Sequence, residues 1–201
     1  MTFTTRRHAA WMAGGLLLCG CGSYPLPKVY LLGDRAPPVA GAASTNGLPV
    51  IEMKTVQVPD SLDSTDIDRL AGANQIISSP TGRWGERLSV GITQDLVATL
   101  SAQMPQVVIE NRGAYEPSRR LLVSISRFDI SPDGQCVLSA RWRLTDATGK
   151  VLSDSEEATF IEMAASGSDG AAAAAMTVAL DHLATRIAIT VGSAITAPPA
   201  G

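Results

Sequence analysis

The chain has few of the residues on which most catalytic and metal sites depend. Its 201 residues include two histidines and three cysteines, and aromatic residues make up 4%. Beyond the N-terminal segment one histidine remains, His182, so a histidine metal site or a catalytic triad would have to rely on it alone. We expect His182 to lie on a helix surface or to be packed. Cys136 has no adjacent base to activate it, and we expect a buried, inert thiol. No disulfide framework is expected in the folded body.

The chain also lacks a net positive charge. The net charge is -3 and the isoelectric point is about 5.3, so no broad positive field attracts a phosphate backbone and nucleic acid is not an expected partner. Residues 131–134 (Ser-Pro-Asp-Gly) are typical of a turn, and neither a glycine-rich phosphate loop nor a nucleophile elbow occurs. We therefore expect no enzyme and no cofactor.

Acidic residues cluster in one stretch that a calcium site could use. The cluster comprises Asp60, Asp63, Asp66 and Asp68. Its spacing lacks the central glycine and the terminal bidentate glutamate of an EF-hand. A solvated acidic loop is the favoured interpretation, and no metal is expected.

The N-terminus has the features of an export signal. A basic stretch at residues 6–8 precedes an apolar run at residues 9–18, which is too short to span a bilayer, so residues 1–20 are predicted to be a lipoprotein signal peptide. Thr5 and the arginine pair after it also permit twin-arginine export, and the choice between the two export routes stays open. A plain cleaved signal and a lone membrane helix are the alternatives to a lipoprotein signal.

The run Leu18-Cys19-Gly20-Cys21 is typical of a lipobox. Lipidation needs a thiol at the membrane surface, and the signal peptidase needs small side chains just before the cut. Cys19 follows the branched Leu18, whereas Cys21 follows a glycine, so the lipid is assigned to Cys21. Three acyl chains, palmitate among them, would tether the protein nearly permanently. Gly22 replaces the aspartate that usually retains lipoproteins at the inner membrane, which favours the periplasmic face of the outer membrane.

The mature chain is predicted to have three parts. Residues 21–28 form a lipidated, proline-punctuated tether, residues 29–195 form one folded domain, and residues 196–201 form a disordered tail rich in alanine, proline and glycine.

Strand and helix periodicities recur through the domain. Alternation and β-branched runs predict strands at residues 29–32, 51–58, 74–79, 107–110, 121–130, 135–146 and 151–163. The strand at 74–79 is predicted to stop at Pro80. The last two strands are separated by the turn residues 146–149 and should form an antiparallel hairpin.

Two amphipathic helices are predicted. The first carries Leu88, Ile92, Leu96 and Leu100 at intervals of four and ends before Pro105. The second follows capping residues at 166–170 and carries Met176, Leu180, Leu183, Ile187 and Val191. The fold class is therefore mixed α+β (α/β in the broad sense): a single domain with a mixed sheet of about five or six strands, packed by two main helices.

Short segments of the chain are similar to those of a known family. They are Val29, Tyr30 and Leu31; Val58, Pro59, Asp60 and Leu62; and Arg83, Trp84, Glu86 and Leu88. Their order and spacing, with the lipobox and the terminal helix, resemble the ABC-type transport auxiliary lipoproteins, the PqiC-like family. The chain departs from the commoner family form at Gly85, where alanine is frequent, and at Arg87, where proline is frequent.

The resemblance implies a non-enzymatic adaptor in a lipid-transport, membrane-integrity system. It implies an MCE-type periplasmic protein and ABC transporter subunits as partners, and it leaves a homo-oligomer open. The alternatives are a lipid or small-ligand carrier with an apolar cavity, and a structural envelope lipoprotein. Trp84 is either a partner-binding residue or a core residue, and Arg83 and Arg87 are expected to pair with Glu86, lipid headgroups or a partner's acidic patch, or to lie solvated at the helix end.

Overall fold

The computed structural model describes residues 26–33, 47–72 and 74–196. Within these ranges the chain forms eight strands and two helices. The strands are β1 (Lys28–Tyr30), β2 (Val50–Met53), β3 (Asp66–Gly72), β4 (Gln75–Trp84), β5 (Val108–Glu110), β6 (Arg119–Ile130), β7 (Gln135–Asp146) and β8 (Glu156–Met163). The helices are α1 (Leu88–Gln103) and α2 (Asp169–Thr196). The predicted signal peptide, Cys21 and residues 197–201 lie outside the described residues.

The strands form two mixed sheets. The small sheet has the order β1-β4-β3, and the large sheet has the order β5-β2-β6-β7-β8. The mixed α+β prediction is confirmed. The described strands number eight rather than five or six and are divided between two sheets, because β3 and β4 pair with each other and with β1 while β2 pairs with β5 and β6.

The large sheet provides one wall of the core. Leu138, Ala140, Trp142 and Leu144 of β7 are at most 1% exposed, as their alternation predicts. The antiparallel β7–β8 hairpin is also confirmed. Its turn is held by Asp146, whose Oδ1 accepts hydrogen bonds from the backbone N–H of Thr148 at 2.8 Å and of Lys150 at 2.9 Å.

The two helices bury the stripes that the sequence predicts. The four α1 residues spaced by four are buried, and so are the five α2 residues named above. By length and composition α2 could cross a membrane, but its apolar stripe packs on α1, β7 and β8, so we treat it as a core helix. Its last residue is Thr196, the first residue of the predicted tail.

Two predicted strands are too long. β2 ends at Met53 rather than at residue 58, because the N–H of Val56 donates to the Thr93 hydroxyl of α1 at 2.9 Å instead of to a strand. β8 begins at Glu156 rather than at residue 151, because Ser153 Oγ accepts from the N–H of Leu144 at 3.0 Å and interrupts the ladder.

The β3–β4 hairpin corrects two further predictions. Asp66 and Asp68 belong to strand β3, not to an acidic loop. β4 continues through Pro80, where the strand was predicted to stop. Asp66 pairs with Arg83 and Asp68 with Ser78, so β4 has extra residues between these pairs. Pro80 lies in this bulge, where a missing N–H breaks no ladder hydrogen bond.

Candidate functional site: the face next to the tether

Three segments of the chain meet where β1, β4 and α1 converge. We call this region, formed by residues 29–31, 59–65 and 83–89, the junction. The N–H of Gly85 donates to the carbonyl of Tyr30 at 2.8 Å, the N–H of Trp84 to Thr65 at 2.8 Å, and the N–H of Leu88 to Ser64 at 3.1 Å. The junction thus joins β1 to the start of α1.

Asp63 supplies the N-terminal cap of α1 from the neighbouring loop. The helix has no side-chain cap at Arg87, the residue that precedes it. Asp63 Oδ1 accepts from the N–H of Ser89 at 2.9 Å and Oδ2 accepts from Arg87 at 2.7 Å. Burial alone would raise the pKa of Asp63, but the hydrogen bonds from Ser89 and Arg87 outweigh it, and the pKa is lowered. The carboxylate is therefore held charged at the positive end of the helix.

The predicted site residues divide into a buried and an accessible group. Trp84 and Leu88 are each 4% exposed in the core, and Leu62 packs against that core. Pro59 is half-buried, and Asp60 and Arg83 are exposed. Trp84 is therefore a core residue, and surface contacts fall to the accessible group.

The charged residues after Trp84 have partners in the fold. Arg87 pairs with Asp63, because the capping loop brings that carboxylate to the helix start. Glu86 Oε2 instead accepts from the side-chain amide of Gln94 at 2.9 Å. A Cβ on Gly85 would lie 2.7 Å from Leu31 Cδ2 and 3.2 Å from Val29 Cγ1, so Gly85 allows β1 to approach closely.

A cleft of about 720 Å³ opens beside β1. It lies between one side of the small sheet, the β6–β7 turn and the start of α2, and we call it the tether-side cleft. Its lining combines apolar side chains, such as Leu26, Tyr30 and Ile77, with the cations Lys28 and Arg69. Asp169 also lines the cleft and pairs with Arg69, so the lining suits the apolar part of an amphipathic ligand.

Asp169 holds the floor of this cleft together. Its Oδ2 accepts from the hydroxyls of Ser79 at 2.8 Å and Thr81 at 2.7 Å, and its Oδ1 accepts from Arg69 at 3.2 Å. Burial would raise the pKa of Asp169, but these three donors lower it. A Cβ on Gly82 would lie 2.6 Å from Asp169 Oδ2, so the glycine makes room for the carboxylate. The cluster attaches the small sheet to the first turn of α2.

Outside the cleft a thiol, a carboxylate and an imidazole lie next to one another, as in an activated nucleophile, but the thiol is not activated. Cys136 faces Glu162 in the β7–β8 ladder, and Glu162 Oε1 lies 2.9 Å from His182 Nδ1. Burial and the carboxylates of Asp129 and Glu162 raise the pKa of the Cys136 thiol to about 12. A nucleophilic cysteine requires a lowered pKa, so the thiol is inert, as its sequence context predicts.

The acidic residues do not converge on a common point. Asp63 caps α1, and Asp68 accepts from the hydroxyl of Ser78 at 2.7 Å. In the part of the chain that the structure describes, no three histidine, cysteine, aspartate or glutamate side chains are grouped so that they could hold a metal ion.

Comparison with known proteins decides the family. The model of the family described as "ABC-type transport auxiliary lipoprotein component" matches residues 30–188. The chain belongs to this family. The auxiliary lipoprotein is also similar to the intermembrane transport lipoprotein PqiC of Escherichia coli (strain K12), with 24% identity over 129 residues, 64% of this chain and 69% of that protein. PqiC of Shigella flexneri gives the same identity and coverage.

Solved structures share the fold of the auxiliary lipoprotein. A crystal structure of an uncharacterized protein superimposes with a TM-score of 0.69 at 18% identity, covering 83% of this chain and 99% of that one. A protein from Xanthomonas campestris superimposes with a TM-score of 0.64 at 15% identity, covering 85% of this chain and 97% of that one. At these identities the likeness shows the fold alone.

The sequence did not single out Asp169, Arg69, Ser79 or Thr81. These residues are far apart in the chain, and each is of a type that is common on surfaces. One signal was present: an aspartate in the first turn of a predicted helix, where the helix dipole favours negative charge.

Proposed function

We propose that the auxiliary lipoprotein is a non-catalytic adaptor, held by lipid on Cys21 at the periplasmic face of the outer membrane, that docks an ABC transporter and MCE-type lipid-transport assembly. The observation that carries the proposal is the junction, since it connects the strand nearest the lipidated cysteine directly to α1 and the core. A load on the tether is thereby passed to the folded domain rather than to a loose end.

The length of the tether supports a close attachment. Seven peptide steps separate Cys21 from Lys28, so a fully extended tether spans at most about 25 Å. Three acyl chains on Cys21 would make the attachment effectively permanent. Gly22, in place of a retaining aspartate, favours the outer membrane.

Two polar groups, the Cys136 thiol and the Asp169 carboxylate, support a non-catalytic role. The Cys136 thiol has a raised pKa, and the hydrogen bonds to Asp169 come from donors of the same domain. A carboxylate whose pKa is lowered is poorly matched to proton transfer near neutral pH. We assign docking to the accessible residues of the junction, Pro59, Asp60 and Arg83.

The alternative function, a lipid carrier, is favoured by one observation. The tether-side cleft offers about 720 Å³ with a largely apolar lining, as the acyl part of a lipid would require. The cleft is open on one side, whereas the core residues pack together at or near zero exposure. A carrier would therefore hold lipid at its surface, not inside the domain.

Crosslinking in cells tests the adaptor. A photoreactive residue is placed at Asp60. The control is the same residue placed at Glu157, which is exposed on β8, a strand that is not part of the junction. We expect the Asp60 probe, but not the Glu157 probe, to capture an MCE-type or ABC transporter subunit identified by mass. If neither probe captures one and the purified protein carries bound lipid, the carrier function replaces the adaptor.

The lipid anchor has its own test. Cys21→Ser removes the acylated thiol. Because the lipoprotein signal peptidase cuts before an acylated cysteine, the variant is exported behind the signal peptide of a non-lipidated secreted protein in place of residues 1–20, and we expect it in the soluble periplasmic fraction with the fold unchanged. Mass spectrometry of the native N-terminus should show an acylated Cys21. A mature protein that is unacylated, or that begins at another residue, would contradict the proposal.

A further inference from the structure

The outer half of the β3–β4 hairpin carries no charged residue. Residues 70–82 contain no aspartate, glutamate, lysine or arginine. Ile76 and Ile77 near the end of the hairpin are 44% and 54% exposed. Because successive side chains of a strand point to opposite faces, the end of the hairpin offers an isoleucine on each face. A protein partner that covered one face would leave the other isoleucine in water.

The chain leaves β1 in the direction of the hairpin end. β1 is parallel to β4, with Lys28 opposite Gly82, so residues before Lys28 run back towards the start of β4. Leu26 confirms the direction, because it lines the cleft together with hairpin residues such as Leu70 and Ile77 and is itself 91% exposed. Only five peptide steps separate Leu26 from Cys21, at most about 18 Å.

The length of the hairpin is comparable with the greatest length that the tether can have. Asp66 lies opposite Arg83, next to the level at which β1 begins. From Asp66 to Gly72 β3 has six residue steps, which extend about 20 Å at the usual rise of a strand. The tether allows Cys21 at most about 25 Å from Lys28. The hairpin end therefore lies within the range of distances from Lys28 that the tether allows Cys21.

We propose that the end of the β3–β4 hairpin, with Ile76 and Ile77, lies against the lipid surface that holds the acyl chains of Cys21. This inference rests on the proposed lipid anchor. The hairpin has open backbone edges, which are not tolerated in hydrocarbon, so it lies at headgroup depth with its isoleucines at the acyl boundary.

A fluorescent probe at the hairpin tests this contact. Ile77→Cys is labelled with an environment-sensitive maleimide in the lipidated mature protein, reconstituted in phosphatidylethanolamine and phosphatidylglycerol vesicles. Ile161→Cys on β8 is the matched control, because Ile161 is 57% exposed and Ile77 is 54% exposed. Native Cys136 is buried, with a raised pKa, and stays unlabelled. Flotation of the vesicles reports whether the protein is attached.

In the vesicle-bound protein we expect iodide in the water to quench the probe at 77 about twofold less than it does in the Cys21→Ser protein, which is measured without vesicles or detergent. The reason is that the lipid closes about half of the space around the probe. A lipid with a nitroxide headgroup should quench the probe at 77 and not the probe at 161. If the protein floats but the probe at 77 behaves like the probe at 161, the hairpin contact is wrong and the anchor stands. Protection from iodide without nitroxide quenching would mean that protein covers the hairpin, which also overturns the proposal. If the protein does not float, the anchor fails and the hairpin contact fails with it.

Discussion

Replacing Asp169 by asparagine tests whether this one carboxylate joins the small sheet to α2. The substitution keeps the size of the side chain but removes its charge. If the new amide nitrogen takes the place of Oδ1, it faces the guanidinium of Arg69, and if it takes the place of Oδ2, the hydroxyls of Ser79 and Thr81 lose their shared acceptor. Either arrangement loses at least one hydrogen bond to a charged group.

The magnitude follows from the burial of the site. A hydrogen bond to a charged group contributes about 1.5–3 kcal/mol, and charge at a helix N-terminus adds about 0.3–1 kcal/mol. Asp169 is 7% exposed, but the Arg69 side chain is 23% exposed and its bond is 3.2 Å long, which lowers its share. We expect Asp169→Asn to reduce the free energy of unfolding by about 2 kcal/mol, or the melting temperature by about 4–8 °C.

The loss should depend on pH in a defined direction. The pKa of Asp169 is lowered below its ordinary 3.8 in the fold, so its stabilisation is present above that value and disappears as pH falls through the lowered pKa. The difference between wild type and Asp169→Asn should thus be full at pH 7 and shrink below about pH 4.

Urea unfolding provides the measurement. It is followed by the fluorescence of Trp84 and Trp142, which are 4% and 1% exposed, in the mature chain carrying Cys21→Ser. Asp154→Asn, at an exposed loop position, is the control and should change stability by less than about 0.5 kcal/mol. Equal effects of the two substitutions at pH 7, or an Asp169→Asn loss that is unchanged at pH 3, would refute the role of Asp169.

Two further substitutions probe buried polar groups. The Thr190 hydroxyl accepts a hydrogen bond from Trp142 Nε1 at 2.9 Å and donates one to Glu156 at 2.6 Å. Thr190→Val should therefore reduce the free energy of unfolding by about 1–3 kcal/mol in the same urea assay, whereas Thr190→Ser should retain most of the stability. Equal losses for both variants would show that the hydroxyl is not the cause. Asp95 is 8% exposed, one of its oxygens has no hydrogen-bond partner, and burial with the nearby Asp181 raises its pKa to about 6. Because the folded protein then binds a proton more tightly than the unfolded chain, stability falls as pH rises from about 4 to 6. Asp95→Asn should be more stable than wild type at pH 7, by about 1–3 kcal/mol, and equal to it near pH 3.5; a variant that is less stable at pH 7 would contradict this explanation.

The elements predicted best are those whose pattern repeats within one segment. Leu88 to Leu100 on α1 and Leu138 to Leu144 on β7 show helical and strand periods over several repeats, and burial of one face follows directly from the period. The β7–β8 hairpin was predictable for a similar reason, since Asp146 and Gly149 specify a turn locally. By contrast β3 has Ile67 as its fully buried apolar residue and shows no alternation that could reveal a strand.

The family segments were recognisable in the sequence, but their physical role was not. Trp84 gave no sign of whether it faced the core or a partner, and the separation of Asp63 from α1 hid its role as the cap. That role depends on the loop after Pro59 folding back against the end of β4, which brings together residues more than twenty positions apart.

Local periodicity and turn chemistry by themselves determined the two helices, the long antiparallel strands and the mixed α+β class, because these depend on interactions between near neighbours in the chain. Only the tertiary structure decided the division into two sheets, the bulge that admits Pro80, and the meeting of Asp169 with Arg69, Ser79 and Thr81. The physical reason is that a polar side chain obtains its partner from whichever distant segment the packing brings within hydrogen-bond distance, and no period in the sequence records that choice.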